Sequence, residues 1–393
     1  MRLTNLFSVL FLITQLACYI NLFQRIAFVA ALISYTLEVF LEKKWKNFKW
    51  ENSTRQWFFI VAIFFFLLQF IFWPLEKNTD TFVKILEERI PFLAFGIVGL
   101  LGFNQYFRLK YVAYAFIGTS VVLGVFLLSN LNAEILHSEF RNELLGLIRV
   151  KYINSHMKFN YYLNISLICI YYLFRLLKNK KAFWANLALA LSALVIILNL
   201  FLSDGRIGFV SGLIILTVFI FRYFWHKSKP LTFISTAVFI LLAIITISIN
   251  PRFSKSSIKH EPRQEIWGVA VDEIKKSNFL GVGACTAAYD MQNEFAARGM
   301  VNNKHTHNIF LQSTLEYGVI GFATILCMFT LCCFTTSNKF RIMILLVTET
   351  TFLQLFVGSF ERDLNPMVFL LFVILVVQQD KLDGKKASIM TAH

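Results

Sequence analysis

Residues 183–225 read FWANLALALSALVIILNLFL, then SDGR, then IGFVSGLIILTVFIFRYFW. Each apolar run has about the 20 residues that a helix needs to cross the hydrocarbon core of a bilayer. Neither run alternates apolar and polar residues, so the pattern favours helices over the strands of a barrel. The stretch therefore predicts two membrane-spanning helices joined by a very short turn.

The same pattern extends along the chain. Hydrophobic residues make up 57% of the 393 residues and charged residues only 16%, whereas soluble domains carry about 25% charged residues. This composition excludes a soluble enzyme, a disordered chain and a disulfide scaffold. We predict an all-α integral membrane protein with twelve spanning helices, at 6–22, 26–41, 57–73, 90–107, 111–129, 161–177, 183–202, 207–225, 231–249, 309–335, 341–358 and 365–379.

The net charge of +15 does not indicate a nucleic-acid surface. Lys and Arg concentrate in alternate short loops, as in residues 43–55 and 175–181, and such loops lie on the cytoplasmic side. Both termini are then expected in the cytoplasm, and much of the charge sets topology and faces lipid headgroups. The opposite short loops hold only six basic residues, Arg25, Lys77, Lys84, Arg89, Arg206 and Arg362.

The predicted organisation has three parts. Residues 1–249 hold helices 1–9, residues 250–308 form a long outer loop, and residues 309–393 hold helices 10–12 and a tail. A second long outer loop is expected at 130–160. In the 250–308 loop, Pro262 to Ser277 predicts a helix that lies on the outer leaflet, with a turn after it at Gly281 and Gly283. Its narrow apolar stripe consists of Ile266, Ala270 and Ile274, and Trp267 lies beside the stripe.

Two arginines are candidates for an anion site. Arg206 ends the Ser203–Arg206 turn, where it could pair with Asp204 or bind phosphate through its planar fork of donors. Arg263 begins the predicted loop helix, where it could contact lipid headgroups or a bound anion. Weaker candidates are Arg252, Lys255 and Arg362.

The segment His305-Thr306-His307-Asn308 precedes the tenth predicted helix. A histidine that is neutral near pH 7 suits a general base for a sugar hydroxyl. A His-X-His metal site is the alternative, but no third ligand is evident nearby. Gly318 and Gly321 follow three residues apart on one helix face, which would allow a neighbouring helix to pack closely and fix the His-Asn pair.

Together these residues resemble a known signature. His307-Asn308, nine further residues and Gly318-x-x-Gly321 are similar to the pattern of O-antigen ligases, within the superfamily of O-antigen ligases and polymerases. The order of the remaining elements agrees: Arg206 opens a helix, a long outer loop follows, and that loop holds Arg263-x-x-x-Trp267 and a Gly-x-Gly turn. The resemblance covers roughly residues 200–330.

The resemblance implies a metal-independent, inverting glycosyltransferase of lipopolysaccharide biosynthesis, without a cofactor, in the bacterial inner membrane. Its donor would be a glycan on undecaprenyl diphosphate, and its acceptor would be lipid A–core oligosaccharide at the periplasmic face. Its partners would thus be the donor, the acceptor and membrane lipids, with no nucleic acid. His307 would deprotonate the acceptor, Arg206 and Arg263 would bind the diphosphate, and the supporting residues would be His305, Asn308, Gly318 and Gly321.

Three alternatives remain. A polysaccharide polymerase or a protein O-oligosaccharyltransferase of the same superfamily would share the donor and the fold. Polymerases often carry Arg, ten residues and Gly in outer loops, and Arg206, Arg263 and Arg298 lack that pattern. A lipid-linked sugar transporter would show paired half-repeats with broken helices, which the sequence does not display.

Overall fold

The computed structural model describes residues 29–30, 33, 35–76, 81–102, 108–129, 156–177, 183–202, 205–225, 227–249, 263–300, 306–354, 356 and 365–391. Several predicted features lie outside these ranges: the first span at 6–22, nearly all of the 130–160 loop, and Asp204, Arg252, Lys255, His305 and Arg362. Within the described ranges the regular elements are helices.

The longer helices are α1 (Thr54–Ile71), α2 (Phe82–Leu101), α3 (Leu109–Ser129), α4 (His156–Leu177), α5 (Phe183–Leu202), α6 (Arg206–Trp225), α7 (Lys229–Ile249), α8 (Arg263–Lys276), α9 (Ala284–Ala297), α10 (Ile309–Cys332), α11 (Asn338–Gln354) and α12 (Asn365–Thr391).

Six of the predicted spans are confirmed as helices long and apolar enough to cross a membrane. They correspond to α1, α3, α5, α6, α7 and α10. The predicted runs at 90–107, 161–177, 341–358 and 365–379 fall in α2, α4, α11 and α12, which are helical but not among these six. The chain is therefore a multi-pass helical membrane protein, and the count of twelve spans stays a prediction.

The chain divides into two compact units. The first unit includes residues 31–109 and 262–393, and the second includes residues 110–261. In the first unit, α1 packs against α2 and α10, and α2 packs against α12. The apolar turns of α12 form much of this core, because residues 367–377 are each 5% exposed or less. An aromatic cluster completes it, with Phe58 against Phe369 and Phe65 against Phe92.

In the second unit, α4 packs against α5 and α6, and α6 packs against α7. Three polar residues of α4 are fully buried: Asn160, Asn164 and Ser166. The Ser166 hydroxyl lies 2.7 Å from the hydroxyl of Ser120 in α3. Polar residues at helix contacts are typical of membrane bundles, where interhelical hydrogen bonds replace the hydrophobic drive to associate.

Candidate functional site

The predicted loop helix exists as α8, but its apolar stripe faces protein. Ile266, Ala270 and Ile274 are buried in one core cluster. Their partners in the cluster come from α9 and α10 and include Met291, Phe295 and Leu315. An amphipathic helix needs an apolar partner, and α9, which the sequence reading did not identify, provides one. The position of α8 on the outer leaflet stays a prediction.

A short linker, residues 279–283, joins α8 to α9 and docks on α10. The amides of Val282 and Gly283 donate to the carbonyls of Leu315 and Glu316, at 3.1 Å and 2.9 Å. The amide of Val319 donates to the Phe279 carbonyl at 3.0 Å. The turn predicted at Gly281 and Gly283 is confirmed, because both have positive φ, at 83° and 87°. Three backbone hydrogen bonds thus fix the α8–α9 pair to α10.

The docked linker coincides with a break in α10. Gly318 has φ 61° and ψ −154°, which is not helical. A Cβ at Gly318 would lie 2.6 Å from the Leu280 carbonyl carbon, and a Cβ at Gly281 would lie 2.5 Å from the Gly318 nitrogen. Glycine is therefore needed on both sides of this contact, for conformation at 318 and for space at 281.

This geometry corrects the expected role of the Gly318–Gly321 pair. The two glycines do not form a helical face for a neighbouring helix, because α10 breaks at the first of them. A Cβ at Gly321 would instead meet the Ser313 carbonyl and lie 2.8 Å from the Tyr317 Cβ, both in the preceding turns of α10 itself. The missing side chain at Gly318 leaves room for the 279–283 linker. The missing side chain at Gly321 allows the two halves of α10 to approach each other at the break.

His307 lies immediately before α10, in the left-handed backbone region with φ 52°. Its two neighbours bond to each other across it. The Thr306 hydroxyl donates to the Asn308 carbonyl at 2.7 Å and accepts from the Asn308 amide at 3.2 Å. Asn308 caps α10, since its side chain accepts from the amides of Phe310 and Leu311. This N-cap and the 306–308 bonds define the backbone on both sides of His307.

Trp267 connects α8 to this segment. Its indole Nε1 donates to the Thr306 carbonyl at 3.0 Å. Arg263 begins α8 one turn earlier, and residues four apart lie on the same face of a helix. The structure thus ties the helix that begins with Arg263 to the loop that carries His307.

Arg206 is the first residue of α6, in the second unit. Asn164 of α4 donates its side-chain amide to the Gly208 carbonyl at 2.8 Å, and Asn160 donates to the Gly205 carbonyl at 3.4 Å. The close approach depends on small residues, because a Cβ at Gly208 would lie 3.0 Å from the Asn160 Cγ. The N-terminal turn of α6 is thereby held against α4, and Arg206 is presented from a fixed backbone.

A buried ion pair was missed by the sequence reading. Arg89, expected in an outer loop, lies within α2 and is fully buried. Its guanidinium bonds to the carboxylate of Glu316 and to the hydroxyl of Tyr317, both in α10 and both fully buried. A charge is buried only at high cost unless it is paired. Arg89 is therefore a structural partner of α10 and does not contribute to loop charge.

Glu76, just after α1, caps the start of α9. Its carboxylate accepts from the amides of Cys285 and Thr286, at 3.1 Å and 2.8 Å. A negative charge is favourable at a helix N-terminus. Partial burial nevertheless raises the pKa of this carboxyl above its ordinary value, and the two amide hydrogen bonds oppose the rise. Glu76 thus anchors α9 to α1.

The predicted site residues divide between the two units. Arg263, His307, Asn308, Gly318 and Gly321 belong to the first unit, and Arg206 to the second. Among the described residues, no three His, Cys, Asp or Glu side chains form a group that could hold a metal ion. Because His305 lies outside the described part of the chain, independence from metal stays a prediction.

Comparison with known families gives one match. Residues 191–326 match the family model described as O-antigen ligase. The matched segment includes Arg206, Arg263, His307 and the two α10 glycines, and it supports the family that the sequence signature resembles. No curated protein sequence matches the chain. Arg89 lies outside the matched segment.

Proposed function

We propose that the protein is an O-antigen ligase, a glycosyltransferase that moves a glycan from undecaprenyl diphosphate to lipid A–core oligosaccharide at the periplasmic face of the inner membrane. The observation that carries the proposal is the family match over 191–326, together with His307 held in a defined conformation at the start of α10. The match supports glycosyl transfer from a lipid-linked glycan, and the specific donor and acceptor are our proposal.

In the proposed reaction, an acceptor hydroxyl attacks the anomeric carbon of the donor glycan. The new C–O bond forms as the bond from that carbon to the diphosphate oxygen breaks, with inversion. His307 takes the hydroxyl proton, as a histidine that is neutral near pH 7 can do. Undecaprenyl diphosphate leaves with the bonding electron pair.

The leaving diphosphate gains negative charge, which needs cationic or hydrogen-bond donors. Arg263 is assigned this role because α8 is bonded to the His307 segment through Trp267. Arg206 is assigned to the same ligand on the sequence resemblance alone. A guanidinium can bind two phosphate oxygens through a rigid planar fork of donors, a geometry that the ammonium of lysine lacks. Removing one such donor costs about 2.7–4 kcal/mol of activation free energy.

His307→Asn is the sharpest test of the base. Asparagine tolerates positive φ better than most residues, so it preserves the backbone at φ 52° while it removes the imidazole. Loss of a general base should slow transfer about 10²- to 10⁴-fold. The assay joins purified lipid-linked glycan to lipid A–core in detergent, and His156→Ala, a histidine change outside the matched segment, is the control. An unchanged rate for His307→Asn would remove His307 from the mechanism.

A lipopolysaccharide gel from a deletion strain separates the ligase from its relatives. Loss of a ligase leaves core bands while lipid-linked polymer accumulates. Loss of a polymerase leaves core with a single repeat unit, and loss of a protein O-oligosaccharyltransferase leaves the lipopolysaccharide ladder intact. The two latter patterns would overturn the ligase assignment. Addition of EDTA to the purified assay tests the expected independence from metal, with full activity as the expected result.

A further inference from the structure

A chain of buried polar groups leads from α2 to the His307 segment. Arg89 bonds to one carboxylate oxygen of Glu316. The other oxygen accepts from the Gln312 side-chain nitrogen at 2.7 Å. The Gln312 side-chain oxygen accepts from the Thr306 amide at 3.1 Å. Arg89, Glu316 and Thr306 are fully buried and Gln312 is 1% exposed, so water does not compete for these bonds.

The charged end of this hydrogen-bonded series determines how the Gln312 side-chain amide is oriented. A carboxylate only accepts hydrogen bonds, so the Gln312 amide must turn its nitrogen toward Glu316. Its oxygen then faces the other way and meets the Thr306 amide. The opposite orientation of Gln312 would place two acceptors together and two donors together. The Arg89–Glu316 pair therefore determines which way Gln312 points, and Gln312 determines where the peptide before His307 lies.

We propose that Arg89, Glu316 and Gln312 form a positioning relay for the His307 segment, and this inference rests on the proposed function. Arg89 is the positioning residue furthest from the reaction. It acts through Glu316 and Gln312 on the backbone of Thr306. Trp267 holds the Thr306 carbonyl independently, so the two sides of one residue are fixed from α8 and from α10.

Position matters because proton transfer requires close alignment between the base and the acceptor hydroxyl. A misplacement of about 1 Å can slow an enzymatic step about 100-fold. His307 has an uncommon backbone conformation for a non-glycine residue, and the hydrogen bonds of its neighbours maintain it. Loss of the relay is therefore expected to lower kcat and to leave the KM for the donor nearly unchanged.

Gln312→Leu breaks the relay and leaves both members of the Arg89–Glu316 ion pair in place. We expect kcat to fall about tenfold to 100-fold, with KM for lipid-linked glycan within a factor of about two. Gln69→Leu is the matched control: Gln69 is also 1% exposed, lies in the same unit, and has no hydrogen-bond partner for its amide in the described structure. This control should retain normal kcat and a normal elution profile in detergent.

A polarity swap distinguishes positioning from simple packing. Gln312→Glu places two carboxylates together, and Glu316→Gln removes the charge that pairs with Arg89, so each single variant should lose kcat. In the double variant, the amide at 316 can donate to the carboxylate at 312, which still accepts from Thr306. The double variant should therefore recover most of the lost kcat. Independent losses that multiply in the double variant would overturn the relay.

The outcomes also separate this inference from the proposed function. If His307→Asn abolishes transfer while Gln312→Leu has normal kcat, the relay is wrong and the function stands. If His307→Asn is fully active, the proposed mechanism is wrong, and so is the relay, because it would then position a residue that the reaction does not use. A Gln312→Leu protein that aggregates is replaced by Gln312→Met, which retains side-chain volume, and a normal kcat in that variant counts against the relay.

Discussion

Replacing Gly318 with alanine tests the contact between the 279–283 linker and α10. The φ/ψ pair of 61° and −154° lies in a region that is essentially reserved for glycine and costs other residues about 1–3 kcal/mol. The new Cβ would also lie 2.6 Å from the Leu280 carbonyl carbon, so the linker must move. That movement breaks the Val319–Phe279 hydrogen bond, whose loss costs about 0.5–1.5 kcal/mol. We expect a total loss of about 1.5–4.5 kcal/mol.

Two alanine variants calibrate this value. Gly299 has φ 65° but its Cβ would meet nothing within 4 Å, so Gly299→Ala measures the cost of a positive φ without the clash. Gly268 lies inside α8 with open space around its Cβ, and Gly268→Ala should stabilise the protein by about 0.5–1 kcal/mol. Thermal midpoints are measured in detergent as the temperature at which half of the protein remains monodisperse after heating. The midpoint should be highest for Gly268→Ala, lower for Gly299→Ala and lowest for Gly318→Ala.

A Gly318→Ala midpoint equal to that of Gly299→Ala would refute the reasoning, because the linker would then yield to a Cβ without cost. The same experiment has a functional reading. Since the 279–283 linker carries the α8–α9 pair, Gly318→Ala should also lower transfer activity at temperatures where the variant remains folded.

Three further results are expected. Gly208→Ala should lower the thermal midpoint because its Cβ would overlap Asn160 of α4. Gly118→Ala is the control and should not lower it, because a Cβ at Gly118 would have no atom within 4 Å. Equal midpoints for the two variants would exclude the overlap. Trp267→Phe removes the indole donor to Thr306 and should lower kcat severalfold with little change in KM. A change confined to KM would instead assign Trp267 to substrate binding. Burial raises the pKa of Glu76 above the ordinary carboxyl value of about 4.3. Between the ordinary and the raised value, the folded protein binds more protons than the unfolded chain. Stability should therefore fall as pH rises through that interval, and Glu76→Gln should remove this dependence from thermal midpoints measured across it.

Local patterns in the sequence predicted local structure well. The six helices that are long and apolar enough to cross a membrane follow from run length alone. Run length is sufficient because a helix satisfies its own backbone hydrogen bonds in lipid. The α8 helix and the turn at Gly281 and Gly283 follow from periodicity and glycine spacing. The position of His307 just before a helix follows from the apolar run that begins at Ile309. These features depend only on neighbouring residues.

Features that join distant residues were not predictable in the same way. Arg89 and Glu316 are 227 residues apart, and a rule that counts basic residues in loops assigned Arg89 to the solvent. The apolar stripe of α8 has the same spacing whether it faces lipid or another helix, and only the presence of α9 decides between them. Glycines three apart likewise look identical in a packed helix and in a broken one. Tertiary partners determine each of these outcomes.

The docked 279–283 linker has a consequence for how sequences of this type can diverge. Its three hydrogen bonds to α10 join backbone to backbone, so they do not depend on which side chains the linker carries. Leu280 is 72% exposed, so position 280 is expected to accept many residue types. Positions 281 and 318 are expected to accept only glycine. A library randomised at position 280 should therefore yield many functional members, and one randomised at 281 should yield almost only glycine. The backbone contact that holds the proposed site together would then be recognisable in the sequence as two glycines 37 positions apart.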